Sequence, residues 1–241
     1  MAFQQFGFGQ DDSGVGRKSA KLKMDKNETV RISFLMWPGL VDGTLDLDAP
    51  TPGFVGAQRH YLKGVGYFIN KGPEYTKLAG EAPKMRISTI IVKWPIKKNG
   101  KIDAEAIQEG LFEVMYWIFD EGKYDEIKPI HGEWPLGEHD LKITCSDAGF
   151  QKMSFSPCKD SILRTLLKKG VDHPLVKQLI EMAQARLPAV QDQIASDMSL
   201  DQIREKLAGG SGGGGGGHVQ QVTDTAVTED IDEALDGLLD D

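Results

Sequence analysis

MRISTIIVKW, Met85 to Trp94, is the clearest strand in the chain, and PIKKNGK, Pro95 to Lys101, says how it turns. Its β-branched residues fit a pleated, packed surface better than a helix. Asn99-Gly100 is the strongest short hairpin signal, because both residues tolerate the left-handed backbone of a tight turn. Lys84, Arg86, Lys93, Lys97, Lys98 and Lys101 are six cations with no acid among them. The stretch therefore predicts a basic β-ribbon.

Upstream, Lys21 to Met24 and Thr29 to Met36 read as strands joined by Asp25, Lys26 and Asn27. In the second, Val30, Ile32, Phe34 and Met36 alternate with Arg31 and Ser33, the period of a half-buried strand. Trp37 to Gly56 is dense in Pro, Gly and Asp and predicts a long loop. Downstream, Asp103 caps a short helix that ends at Gly110. Leu111 to Trp117 fits either period and is assigned to strand because Gly110 breaks the helical pattern; Asp120 to Ile130 follows as helix. DLKITC (Asp140 to Cys145) and FQKMSF (Phe150 to Phe155) form a hairpin. Ser161 to Lys169, Pro174 to Leu187 and Leu200 to Leu207 carry Leu and Ile at helical spacing, so helices pack on the sheet.

Between Gln58 and Lys77, Tyr61, Tyr67, Phe68 and Tyr75 are interleaved with Arg59, His60, Lys63, Lys71 and Lys77, and Glu74 is the one acid. Rings among cations suit a single nucleic-acid strand, since bases stack on rings while cations follow phosphates. The competing reading is that these aromatics are core.

The ends differ in kind. Met1 to Val15 has too few apolar residues for an element, so 1–20 reads as a flexible arm; a basic cluster, Arg17, Lys18, Lys21 and Lys23, runs from its end into the first strand. Gly209 to Gly217, GGSGGGGGG, is a flexible tether. Residues 218–241 hold Asp224, Glu229, Asp230, Asp232, Glu233, Asp236, Asp240 and Asp241 with no Lys or Arg. The whole chain has 28 basic and 36 acidic residues, net −8, so the body ahead of the tail is balanced, 28 against 36 − 8 = 28. Ile231, Leu235, Leu238 and Leu239 among the acids argue against a mere solubilising tail and for a short motif that docks in a basic, apolar pocket of a partner.

The 241 residues suit one domain, 21–208, plus its appendages. No apolar leader or membrane-length apolar run is expected. Cys145 and Cys158 make neither a disulfide framework nor a four-ligand zinc site, which points to a reducing, cytoplasmic setting. P-loop, GxGxxG, GxSxG and HExxH patterns are absent, and the five histidines lack ligand spacing. A non-enzymatic protein without cofactor or metal is expected.

In this order the features resemble the single-stranded DNA-binding, or helix-destabilising, proteins of T4-type phages. KLKMDKNETVRISFL (Lys21 to Leu35) resembles the family's first core strands. Arg86 to Trp94 and Gly100 to Phe119 resemble its central strands, DLKITC to MSFS its closing pair, and ALDGLLDD its acidic tail. The likeness spans about residues 17 to 156 and the last dozen, as a pattern of elements with short local matches. It implies an OB-type five-stranded barrel with added loops and C-terminal helices, followed by a disordered acidic tail.

The family function so implied is coating single-stranded DNA in replication, recombination and repair, within the host cytoplasm. Arg17 and Lys18 are similar to the cluster with which the family's arm self-associates on DNA. Asp230, Asp232, Leu235, Leu238, Leu239, Asp240 and Asp241 are the expected contacts to replication and recombination proteins. The family's zinc module is missing here.

The expected stacking residues are Tyr61, Tyr67, Phe68 and Trp94. The expected phosphate contacts are Arg31, Arg59, Lys63, Lys71, Arg86, Lys93, Lys97 and Lys98. A tether reaching roughly 30 Å lets the tail compete with DNA for the groove. The rival is a protein-interaction adaptor with a DNA-mimicking tail; a structural virion protein is a third reading.

Overall fold

The structure, a computed structural model, describes residues 21–35, 53–97, 100–147 and 152–209. Arg17, Lys18, Lys98, Asn99, the arm and the acidic tail lie outside the described residues, and so do the expectations attached to them.

Strand β4 (Lys84–Trp94) is the hub. One of its edges is shared by β2 (Val55–Leu62), in register from Val55↔Ser88 to Arg59↔Lys84, and β1 (Thr29–Phe34), from Phe34↔Ile91 to Arg31↔Trp94. Its other edge is taken by β5 (Glu113–Asp120), from Arg86↔Asp120 to Lys93↔Glu113. β3 (Gly66–Ile69) extends the sheet beyond β2, and β6 (Leu141–Asp147) and β7 (Lys152–Pro157) extend it beyond β1. With neighbours on both edges and layers on both faces, β4 is buried from Ile87 to Val92, which is why it reads as a nearly continuous apolar run.

The helices are α1 (Pro73–Ala79), α2 (Ala104–Gln108), α3 (Glu121–Glu133), α4 (Ile162–Leu167), α5 (Pro174–Arg186) and α6 (Leu200–Gly209). Alternation along β4 separates two cores. Ile90, Val92 and Trp94, with Val55, Val114 and Tyr116, pack under Leu163 and Leu166 of α4 and Val176, Leu179 and Ala183 of α5. Ile87 and Ile91, with Ile32, Phe34, Trp117 and Ile143, pack on the other side with Ile127 of α3 and Leu136. A third cluster joins Phe68 and Tyr75 to Met198 and Ile203, fastening α1 and α6 beside β3.

Local chemistry sets the helix starts. The side chains of Asp103, Asp120 and Ser161 accept from the backbone N–H groups of Ala106, Lys123 and Arg164, each satisfying a donor with no partner inside its helix.

The mainly β class and the packed C-terminal helices agree with the sequence reading. Three details differ. The sheet is antiparallel, seven-stranded and open, where an OB-type five-stranded barrel was expected. Lys21 to Met24 makes only an isolated bridge, Lys21↔Tyr116, rather than a strand, because this stretch meets β5 briefly and then turns at Asp25. β2 begins at Val55, inside the expected loop, where packing on Ile90 and Val92 outweighs the Pro and Gly before it.

Candidate nucleic-acid interface

The β2–β3 hairpin carries the ring and cation chemistry. Its loop, Leu62 to Gly66, closes with the Val65 N–H donating to the Leu62 carbonyl, and Gly64 and Gly66 take φ of 84° and 89°, which L side chains rarely adopt. Across it Tyr61 sits directly opposite Tyr67, and the rings meet at 5.0 Å between centroids. Tyr61 is 41% exposed. The Arg59 guanidinium lies 3.7 Å from the centroid of Tyr67 and is fixed by donating to the Ile194 carbonyl at 2.7 Å. A cation on one ring face strengthens such a platform electrostatically.

Lys63, at the loop, and Lys84, opposite Arg59 on β4, are exposed. Among the described residues neither has a carboxylate within ion-pair distance. Period 2 puts Arg59, Tyr61, Tyr67 and Lys84 on one face of the sheet. Arg59 and Lys84 are like charges standing directly opposite across the antiparallel pair. Lys84 is the residue missed when the site was chosen from sequence. Its signal was available, since strand alternation places it on the side of Arg86.

The other expected contacts are placed otherwise. Phe68 and Trp94 are core, 0% and 1% exposed, and cannot receive a base. The Trp94 indole donates to Ser33 Oγ at 2.7 Å, so even its polar edge is used inside. The reading of these aromatics as core thus holds for Phe68 of the hairpin and Tyr75 of α1.

Five cations rest on carboxylates. Arg31 donates from Nε to Asp140 at 2.8 Å, and Arg86 pairs with Asp120 at 3.3 Å. Lys93 pairs with Glu28 at 3.3 Å and Lys97 with Asp103 at 3.8 Å. Lys71 pairs with Asp197, whose hydrogen bond raises the ammonium above its ordinary value. Lys93 also points to the face opposite Arg86 and Trp94, so the expected basic ribbon divides between two faces. Five of the expected phosphate contacts are therefore already paired with carboxylates. Four of the expected contacts, Arg59, Tyr61, Lys63 and Tyr67, fall in one patch, which Lys84 joins.

Family models, curated proteins and solved structures give no match. Among the described residues no three His, Cys, Asp or Glu side chains are grouped to hold a metal ion, and no helix is long and apolar enough to cross a membrane. The patch presents an exposed ring, a fixed guanidinium and two exposed lysines beside a hairpin loop.

Proposed function

We propose that this chain binds single-stranded DNA with little sequence preference, as the resemblance to T4-type helix-destabilising proteins implies. The observation that carries this is the exposed Tyr61 ring on Tyr67, backed by Arg59 and flanked by Lys63 and Lys84. Bases stack on the tyrosines, and each contributes roughly 1–3 kcal/mol whatever its identity. The lysines exchange counterions for phosphates, which makes binding fall steeply with salt.

In this reading the domain is of OB type with its sheet left open, and the protein is non-enzymatic, coating strands during phage replication, recombination and repair in the host cytoplasm. The 230–241 segment recruits replication and recombination proteins and competes with DNA for the cationic patch; Arg17 and Lys18 serve self-association on the strand.

The test is fluorescence anisotropy with labelled oligo-dT and with duplex of equal length at two salt concentrations. Tight, salt-sensitive binding of the single strand over the duplex is expected. Equal binding of both, or none at low salt, overturns the reading and leaves the adaptor function. Removing 209–241 tightens binding most at low salt if the tail competes; an unchanged affinity there removes that part alone.

A further inference from the structure

At the opposite end of β4 lies a cleft of about 230 Å³ lined by Thr29, Arg31, Gly100, Lys101, Lys142 and neighbouring apolar residues. Three cations and no carboxylate are among its described lining residues. Strand register explains how they converge. Arg31 on β1 stands directly opposite Lys142 on β6, and Thr29 stands opposite Thr144, one pair further along the same face. The two threonine hydroxyls meet at 3.0 Å. Lys101 comes from the turn after β4, which Ile96↔Ile102 and the Lys97 N–H to Lys101 carbonyl bond hold closed.

The Arg31–Lys142 pairing is the informative feature. Like charges directly opposite in an antiparallel pair destabilise a sheet. Arg31 is neutralised by Asp140, which takes its Nε, and its Nη2 donates to the Asp160 carbonyl; the guanidinium is thereby locked at the cleft wall. Lys142 is exposed and, among the described residues, has no carboxylate within ion-pair distance. The fold thus fixes one cation by a buried carboxylate, sets a second against it, and adds a third from a turn. A hydroxyl row lies alongside. Such an arrangement suits a compact, multiply charged oxyanion with acceptors for several donors. The cleft is roomy enough for a phosphate with part of its hydration shell.

The geometry points to a phosphate-binding cleft formed by Thr29, Arg31, Lys101 and Lys142, separate from the tyrosine patch, that takes either the phosphate of a mononucleotide or a phosphodiester of a nucleic-acid strand. It does not depend on stacking at Tyr61.

The test is amide NMR on the full chain, titrated with dTMP, with oligo-dT lacking terminal phosphates, and with thymidine. Thr29, Gly100, Lys101 and Lys142 are expected to shift with a phosphate-bearing ligand and to stay still with thymidine. Shifts with dTMP alone assign the cleft to mononucleotides; shifts with the oligonucleotide assign it to strands. Lys142→Gln should weaken the responding ligand roughly two- to fivefold, the worth of an exposed ion pair, and Lys142→Arg should restore it. Four unmoved amides with both phosphate ligands, or equal shifts with thymidine, overturn the proposal. Tyr61→Ala separates the two sites, since it should lower oligo-dT affinity while leaving any dTMP response of the cleft unchanged.

Discussion

Arg59 holds its guanidinium over the ring of Tyr67, 3.7 Å from the centroid, while the Ile194 carbonyl fixes it from behind. A long side chain ordinarily loses much rotamer freedom on meeting a ligand. Here that loss is already incurred in folding. The two rings and the cation therefore form one pre-ordered surface, with Lys63 and Lys84 exposed beside it.

Tyr61→Ala should weaken oligo-dT binding by roughly 1–3 kcal/mol, the range for a lost stacked base, with little change in thermal stability. The ring is 41% exposed, so little core is lost with it. Tyr67→Ala should cost stability as well, because that ring also packs against the helix-covered core and supports Arg59. Parallel anisotropy and melting curves check the contrast; equal binding by Tyr61→Ala and the parent removes the ring from the interface.

Phe68→Ala should destabilise by about 3–5 kcal/mol, the usual range for emptying a buried aromatic site. Phe68 is enclosed by Tyr75, Met198 and Ile203, and its loss detaches α1 and α6 together. Trp94→Phe removes the donor to Ser33 and should cost about 1–3 kcal/mol for the buried hydroxyl left with one partner fewer. In urea unfolding both variants shift the midpoint. Under conditions where they remain folded, their affinity for oligo-dT should match the parent, and a selective binding loss would return these rings to the site.

These cases show where sequence was informative. Met85 to Trp94, the Asp103 cap and the three C-terminal helices were readable because each is set by neighbours in the chain: β-branching, an acceptor three residues before an orphan N–H, leucines at helical spacing. The open sheet was not, because Arg31 to Phe34 and Val55 to Arg59 share one edge of β4 through pairings that no local pattern encodes. Within the hairpin, Tyr67 and Phe68 are adjacent and equally aromatic, yet alternation sends one toward Arg59 and the other beneath α1 and α6. Which face was buried depended on residues some 130 positions away, at Ile194 to Met198. The cations misled for a similar reason, since Glu28, Asp120, Asp140 and Asp197 reach them only in the folded chain.

Acid should weaken the start of α3. Burial alone would raise the Asp120 carboxyl, but the Lys123 backbone N–H and the charges of Lys123 and Arg86 hold it below its ordinary value. A carboxylate with a depressed folded value stabilises above the unfolded value, about 3.9 for aspartate, and that contribution disappears as pH falls through the folded one. Asp120→Asn keeps a capping oxygen and removes the charge. At neutral pH it should cost no more than about 1 kcal/mol, because the group is partly exposed and screened. Urea midpoints of parent and variant should converge as pH falls through the lowered folded value. A gap that persists there would assign the effect to geometry instead of charge.

The buried Asp140 should prove a network rather than a pair. Its carboxylate accepts from Arg31 Nε at 2.8 Å, from the Ser33 hydroxyl and from the Ile162 N–H at 3.0 Å, the first helical donor of α4; Ser33 in turn accepts from Trp94. Asp140→Ala strands a half-buried guanidinium and should cost about 3–5 kcal/mol. If the stabilisation were only the Arg31–Asp140 attraction, replacing both by apolar residues of similar size, Arg31→Met with Asp140→Leu, should recover it, as buried pairs often allow. Here the double replacement still leaves the Ser33 hydroxyl and the Ile162 N–H without their acceptor. Each such buried group costs about 1–3 kcal/mol, so recovery should be incomplete. Adding Ser33→Ala should improve it further. Urea unfolding of the series decides the point: full recovery in the double variant would reduce Asp140 to a counterion for Arg31, whereas stepwise recovery makes it the acceptor that ties β1, β4 and α4 together.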